Sequence, residues 1–255
     1  MPQPHACLNF SSLERIVPDQ IAADDIPGLQ TLQLHVERYE FAKENLVPGS
    51  LLDLACGAGY GTAALSLDPR VTLALGVDIS DAVIKYAQAR YAGDRLSYVC
   101  SDALSFSGDH LFANVVSLET IEHFEDPLEL FSHLTSLTAP GGRLIASVPI
   151  TPSVDANPHH QANFSRKRFL RMAQQFPLNY VASFEQVQPF NPFAVLVGRE
   201  VRSVKLRSNL ATFYLQNPSH LWLRFWSTLR HGFVNRYLTI VWEKKWRNPD
   251  AISRP

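Results

Sequence analysis

The chain has 255 residues, 46% of them hydrophobic, and a formal net charge of −1. That size supports one substantial core, but no apolar run approaches the ~20 residues of a membrane span, and the start, with Pro2, Pro4 and His5, lacks a secretory apolar stretch. Three cysteines, Cys7, Cys56 and Cys100, make no disulfide framework and point to a reducing, cytoplasmic setting in which any membrane association is peripheral.

In chain order, the first ~30 residues are expected to be loosely structured, and a helix is expected from about Gln30 to Asn45, placed to cover a ligand. Leu51, Leu52 and Leu54 suit a buried strand, and Asp53 to Thr62 then reads D-x-A-C-G-x-G-x-G-T. Gly57 and Gly59 allow positive φ and a close backbone approach to a ligand, which would lie over the helix resuming at Thr62. A dinucleotide fingerprint would place its third glycine at position 62, where this chain has threonine, which argues against NAD or FAD.

A second strand, 71–79, ends in Asp78, nineteen residues beyond Gly59. That offset suits a carboxylate bonded to ribose hydroxyls, although an acid at a strand end can also simply cap the next helix. A third strand from Leu96 leads to Asp102 and Ala103, and a fourth, 113–119, ends in Glu119. An amphipathic helix from about Leu128 to Leu137 precedes Pro140-Gly-Gly and a fifth strand ending at Pro149. Five β/α repeats imply a parallel, doubly wound sheet whose ligands bind beyond the carboxyl ends of the strands, where Asp53, Asp78, Asp102 and Glu119 fall.

These motifs, over roughly residues 30 to 198, resemble the class I S-adenosylmethionine-dependent methyltransferases. The resemblance implies an α/β, Rossmann-like doubly wound seven-stranded sheet, parallel with one antiparallel strand, and helices on both faces. It implies that Asp53, Ala55, Gly57 and Gly59 contact the methionine end of S-adenosylmethionine, that Asp78 serves the ribose with Ile79 beside it in the cofactor site, and that Asp102 and Ala103 serve the adenine. Glu119 joins the cofactor-side set. The fold would close with an antiparallel pair at Asn179–Gln188 and Phe193–Val201. The expected organisation is an N-terminal segment and capping helix at 1–49, the methyltransferase domain at 50–198, and a mostly helical extension at 199–255.

The chemistry-bearing constellation is Glu119-x-x-Glu122-His123. It resembles the E-x-x-E-H motif of ubiquinone-pathway O-methyltransferases and of small-RNA 2′-O-methyltransferases, where the motif binds magnesium or a similar ion. The RNA enzymes carry a further histidine after the fifth strand, which in register is His160, with His159 its competitor. Three readings stand side by side. Glu119, Glu122, His123 and His160 hold a divalent metal that activates a hydroxyl; or His123 or His160 is a general base; or Glu122 and His123 serve the local turn. Mixed nitrogen and oxygen ligands leave the metal open between magnesium or manganese and softer ions.

A helix is expected within 163–176, with Arg166, Lys167, Arg168 and Arg171 on a face that either meets an acidic group on a substrate or is simply solvated. Beyond Gly198 charge and aromatics concentrate. Residues 199–255 hold eleven Lys or Arg against three acids, and all four tryptophans, Trp222, Trp226, Trp242 and Trp246, in pairs spaced as on one helical face. The set packs onto the sheet or a homodimer partner, or meets an anionic membrane surface or polyanion. The expected activity is methyl transfer to oxygen, with a small-molecule or glycan acceptor such as a sugar or glycolipid. RNA is a second reading, disfavoured because no RNA-binding module is recognisable, and a catalytically silent cofactor-binding subunit is a third.

Overall fold

In the computed structural model, which describes residues 16–190, 207 and 209–246, five apolar segments form the centre of a sheet. They are β1 (Gly49–Leu54), β2 (Val71–Asp78), β3 (Leu96–Cys100), β4 (Phe112–Leu118) and β5 (Thr138–Pro149), each parallel to its neighbours within this set. Leu51, Leu52, Leu54, Val115, Val116, Leu144 and Ile145 are fully buried, as expected of central strands covered on both faces. β6 (Leu178–Pro189) and β7 (Val234–Lys244) complete the sheet in the order β3-β2-β1-β4-β5-β7-β6, with β7 antiparallel to β5 and to β6.

The helices are α1 (Ile26–Glu44), α2 (Tyr60–Ser66), α3 (Asp81–Tyr91), α4 (Pro127–Leu137), α5 (Arg166–Ala173), α6 (Leu210–Gln216) and α7 (Pro218–His231). Their starts carry chemical signals. Asp25 accepts from Gly28 N–H at α1, Asp126 from Leu128 N–H at α4, and Ser165 from Arg168 N–H at α5. Prolines 27, 127 and 218 sit in first turns, where a missing N–H costs nothing. The cap at Asp25 starts α1 at Ile26, ahead of the expected Gln30.

The two sheet faces bury separate cores. On one, Leu130, Phe131 and Leu134 of α4 and Phe169 of α5 pack with Leu52, Val115, Leu144, Ile240 and Trp242. On the other, Tyr39 and Ala42 of α1, Leu65 of α2 and Ile84 of α3 pack with Leu51, Val116, Ile145 and Val241.

The seventh strand corrects the expected organisation. It comes from within 199–255, the segment read as a mostly helical appendage, and the strand expected at 193–201 lies outside the described residues. Leu238, Ile240 and Trp242 face one core while Val241 faces the other, a period of two that defines a strand. Trp242 and Trp246 therefore do not share a helical face. Trp242 stands edge-on to Phe131 and Phe169, with centroids 5.3 and 5.2 Å away, whereas Trp246 is exposed. Trp222 and Trp226 do lie on a helix, α7. Among the described residues, no helix is long and apolar enough to cross a membrane.

Candidate active site

A cavity of about 370 Å³ opens beyond the carboxyl ends of β1, β2, β3 and β4. Its wall comprises Ala55, Cys56, Gly57, Ala58 and Tyr60 after β1, Asp78 and Ile79 at the end of β2, Ser101, Asp102 and Ala103 after β3, and Glu119, Thr120 and His123 after β4. α1 closes it with His35, Arg38 and Tyr39, and His159 adds to the rim.

The three loop glycines perform three different tasks. Gly57 has φ +55, and a Cβ there would meet nothing within 4 Å, so a ligand can approach its backbone. Gly59, at φ +80, caps α2, and a Cβ would lie 2.7 Å from both Ala87 and the Tyr98 ring. A Cβ on Gly61 would sit 2.0 Å from the Tyr39 ring, so this third glycine admits a side chain of α1 rather than a ligand. Two non-glycine residues also have positive φ, Ala55 (68°) and Glu119 (52°), at the cavity ends of β1 and β4. Such strain collects at functional sites.

Asp78 ties the wall together. Its Oδ2 accepts from Gly57 N–H at 3.1 Å and its Oδ1 from Ser80 N–H at 2.9 Å. Asp102 lines the cavity while its Oδ1 accepts from Leu104 and Ser105 N–H, closing its own turn. Asp53 is fully buried and absent from the cavity wall. It meets the cavity through Tyr39, whose hydroxyl donates to Asp53 Oδ2 at 3.2 Å beside Thr62 at 2.6 Å. Oδ1 has no hydrogen-bond partner among the described residues. Burial pushes the Asp53 carboxyl up to about 6, against the opposing effect of the two hydroxyl bonds.

Of the expected metal set, Glu122, His123 and His160 come together, with ligand atoms within 4.8 Å of one another. Glu122 is buried, and the two imidazoles stand edge-on with centroids 4.7 Å apart. Glu119 stands apart from this cluster: its Oε1 accepts from Ser147 Oγ at 2.8 Å, and Ser147 Oγ in turn accepts from Glu119 N–H at 2.9 Å. Glu119 thus belongs to the cavity wall. His160, not His159, joins the cluster, because the loop after β5 is anchored by Gln161 and Ala162 N–H to the Glu122 carbonyl. His160 Nδ1 contacts Ser153 Oγ at 2.8 Å, and His123 Nδ1 contacts the His159 carbonyl at 3.2 Å. Burial, then the neighbouring His123 and His159, lowers His160 to about 3, leaving a neutral imidazole at neutral pH. His123 alone of the three lines the cavity, so it links cluster and pocket.

Four cavity residues carried no sequence signal beyond membership of the covering helix or the loop: His35, Arg38, Tyr39 and Tyr60. Arg38 is only 2% exposed; its Nε donates to Gln186 Oε1 at 2.8 Å and its guanidinium stacks 4.4 Å over the Tyr237 ring. No carboxylate among the described residues forms an ion pair with it. Tyr60 Oη contacts His35 Nδ1 at 3.0 Å, and burial followed by Arg38 lowers His35 to about 3. An arginine within a helix gives no sign in sequence that it will be buried facing a cavity.

Residues 52–146 match the Methyltransferase domain family. An uncharacterised methyltransferase of Mycobacterium tuberculosis is 31% identical over 118 residues, 46% of this chain and 60% of that protein. The ubiquinone biosynthesis O-methyltransferase of Coxiella burnetii is 30% identical over 100 residues, 38% of this chain and 42% of that protein. The chain therefore spans less than two thirds of the length of either of these curated relatives. The N-methyltransferase NodS of Bradyrhizobium japonicum, solved with S-adenosyl-L-homocysteine, shares the fold with a TM-score of 0.55 and 16% identity over 87% of this chain and 89% of that one. The stretch that matches this domain family holds the glycine loop, and the cavity lies at the ends of the strands it covers.

Proposed function

We propose that the chain transfers the methyl group of S-adenosylmethionine to a hydroxyl of a sugar, glycolipid or other small molecule. The observation that carries this reading is His123, which lines the donor cavity and at the same time belongs to the Glu122–His123–His160 cluster.

In this reading Gly57 and Ala55 offer backbone to the donor, Asp78 and Ile79 serve the ribose, and Asp102 and Ala103 the adenine. Arg38, a buried cation facing the cavity, suits the donor's carboxylate. Asp53 orients Tyr39 behind the loop. The donor supplies an electrophilic methyl on a sulfonium, which an acceptor oxygen takes in line as the carbon–sulfur bond breaks and its electron pair stays on sulfur. The hydroxyl proton is left for a base, and the His123 imidazole at the cavity edge suits that task.

The cluster also fits a divalent cation: one carboxylate and two imidazoles within a common 4.8 Å suit a softer ion such as iron, cobalt or zinc at least as well as magnesium or manganese. A cation there would orient the acceptor hydroxyl and lower its pKa. Glu122, His123 and His160 are its holders, with Glu119 on the donor side.

The experiment has two arms. Calorimetry with S-adenosyl-L-homocysteine tests the donor site, and binding should survive Glu122→Gln. Turnover of labelled donor on cell extract should be lost in Glu122→Gln. Chelation followed by return of single metals separates the roles: restored turnover supports the cation, and turnover indifferent to chelation assigns His123 as base. A Glu122→Gln variant that methylates normally overturns both.

A further inference from the structure

α7 is amphipathic in the reverse of the usual sense. Its half-buried side, toward the protein, carries the polar His220, Arg224, Ser227 and Thr228. Its outer side carries Leu221, Trp222, Phe225, Trp226 and Leu229, which are 49%, 59%, 52%, 58% and 66% exposed. The rotation of the helix is fixed rather than free, because Arg224 is ion-paired with the buried carboxylate of Asp155 and donates to the Pro152 carbonyl. That pairing turns the aromatic side outward.

We propose that this face docks on an anionic lipid surface. Residues 201–242 contain no Asp or Glu, and α7 ends in the exposed Arg230 and His231. A second copy packed isologously would bring the Arg230 guanidinium groups together with no acid on the same elements to answer them, whereas acidic headgroups supply the missing charge. Tryptophans with apolar rings and polar N–H groups are suited to the boundary between headgroups and acyl chains. Trp222 and Trp226 stack with centroids 6.5 Å apart and present one broad aromatic patch. At 14 residues α7 is too short to span a bilayer and lies in its plane. Asp155 belongs to the loop that also carries His159 and His160, so docking holds that loop near the lipid. On the reading proposed above, the acceptor hydroxyl is then lipid-borne.

The test uses the full chain with large unilamellar vesicles of phosphatidylcholine alone and of equal parts phosphatidylcholine and phosphatidylglycerol. Co-sedimentation with the anionic vesicles and not the neutral ones is expected, with a blue shift of tryptophan fluorescence and weakening at high salt. Trp222→Ser/Trp226→Ser should lower partitioning at least ~10-fold, and Arg230→Glu should lower it further. Calorimetric binding of S-adenosyl-L-homocysteine by the same preparations reads the methyltransferase assignment separately and confirms that each variant is folded. Failure to bind anionic vesicles overturns the proposal, as does binding unchanged in the double tryptophan variant. A concentration-dependent dimer that this variant abolishes, without vesicle binding, assigns the face to a second copy instead.

Discussion

Asp155, whose side chain is fully buried, is held by Arg224 through two hydrogen bonds of 2.7 Å, from Nε to Oδ2 and from Nη2 to Oδ1. Tyr214 Oη adds a third bond to Oδ2 at 2.6 Å. This pairing joins the loop after β5 to the hairpin of α6 and α7.

Breaking it from one side should be costly. Burial alone would raise the Asp155 carboxyl, but Arg224 and Tyr214 outweigh it and hold the group below its ordinary 3.8. A depressed acid stabilises the fold above its unfolded value and loses that contribution as pH falls through the folded value, so the latch is intact at neutral pH. Arg224→Ala leaves a buried, unanswered carboxylate and should cost ~3 kcal/mol at pH 7 by urea denaturation. Arg224→Met with Asp155→Leu, which removes both charges, should recover most of it. A cost under ~1 kcal/mol for the single variant would show that water answers Asp155 well enough.

Gly61→Ala tests the third loop glycine. Its Cβ would enter the Tyr39 ring at 2.0 Å, in a part of the core where Tyr39 also bonds Asp53. The expectation is a loss of ~1–3 kcal/mol from overpacking together with weaker donor binding. Gly61→Ala/Tyr39→Leu, which trims the ring, should restore stability without restoring affinity. Equal stability of Gly61→Ala and the parent would mean that α1 moves aside freely.

What sequence made legible was the half of the fold governed by local rules. The strand ends at Asp53, Asp78 and Glu119 could be placed because period, glycine spacing and acid position all act within one β/α unit. β7 could not, since Trp242 and Trp246 sit four apart and mimic a helix, while the pairing that makes Val234–Lys244 a strand is with β5, nearly a hundred residues away. The site divides similarly. His160 was named by register and does reach His123, but Glu119 leaves the cluster because Ser147, on the neighbouring strand, takes both its N–H and its carboxylate. Arg38 was invisible because its burial depends on Gln186 and Tyr237, residues of β6 and β7.

Asp78→Asn should weaken donor binding without unfolding the loop. The amide keeps one acceptor oxygen, so one of the Gly57 and Ser80 N–H bonds survives, while on the function proposed above the charge-assisted pair to the ribose hydroxyls is lost. A ~10- to 100-fold rise in Kd for S-adenosyl-L-homocysteine is expected, equivalent to ~1.4–2.7 kcal/mol. Calorimetry measures it, and an unchanged Kd would assign Asp78 to the loop alone.

Asp53 makes the most direct pH prediction. Its folded value near 6 lies above the ordinary 3.8, chiefly through burial. The sign follows from proton uptake: between these values the folded chain holds a proton that the unfolded chain has released, so this group's contribution to stability falls as pH rises from about 4 to about 6 and is level above that. At ~1.4 kcal/mol per pH unit the full effect is ~3 kcal/mol. Asp53→Asn has no such proton, so its stability relative to the parent should climb by that amount over the same window, read from urea denaturation at several pH values. Donor binding should respond in the opposite sense, because the positively charged donor favours the ionised carboxylate behind Tyr39. Parent affinity should therefore rise from pH 5 to pH 7 while that of Asp53→Asn stays flat. A parent and variant with parallel stability profiles would show that Asp53 ionises in the folded chain as it does in water.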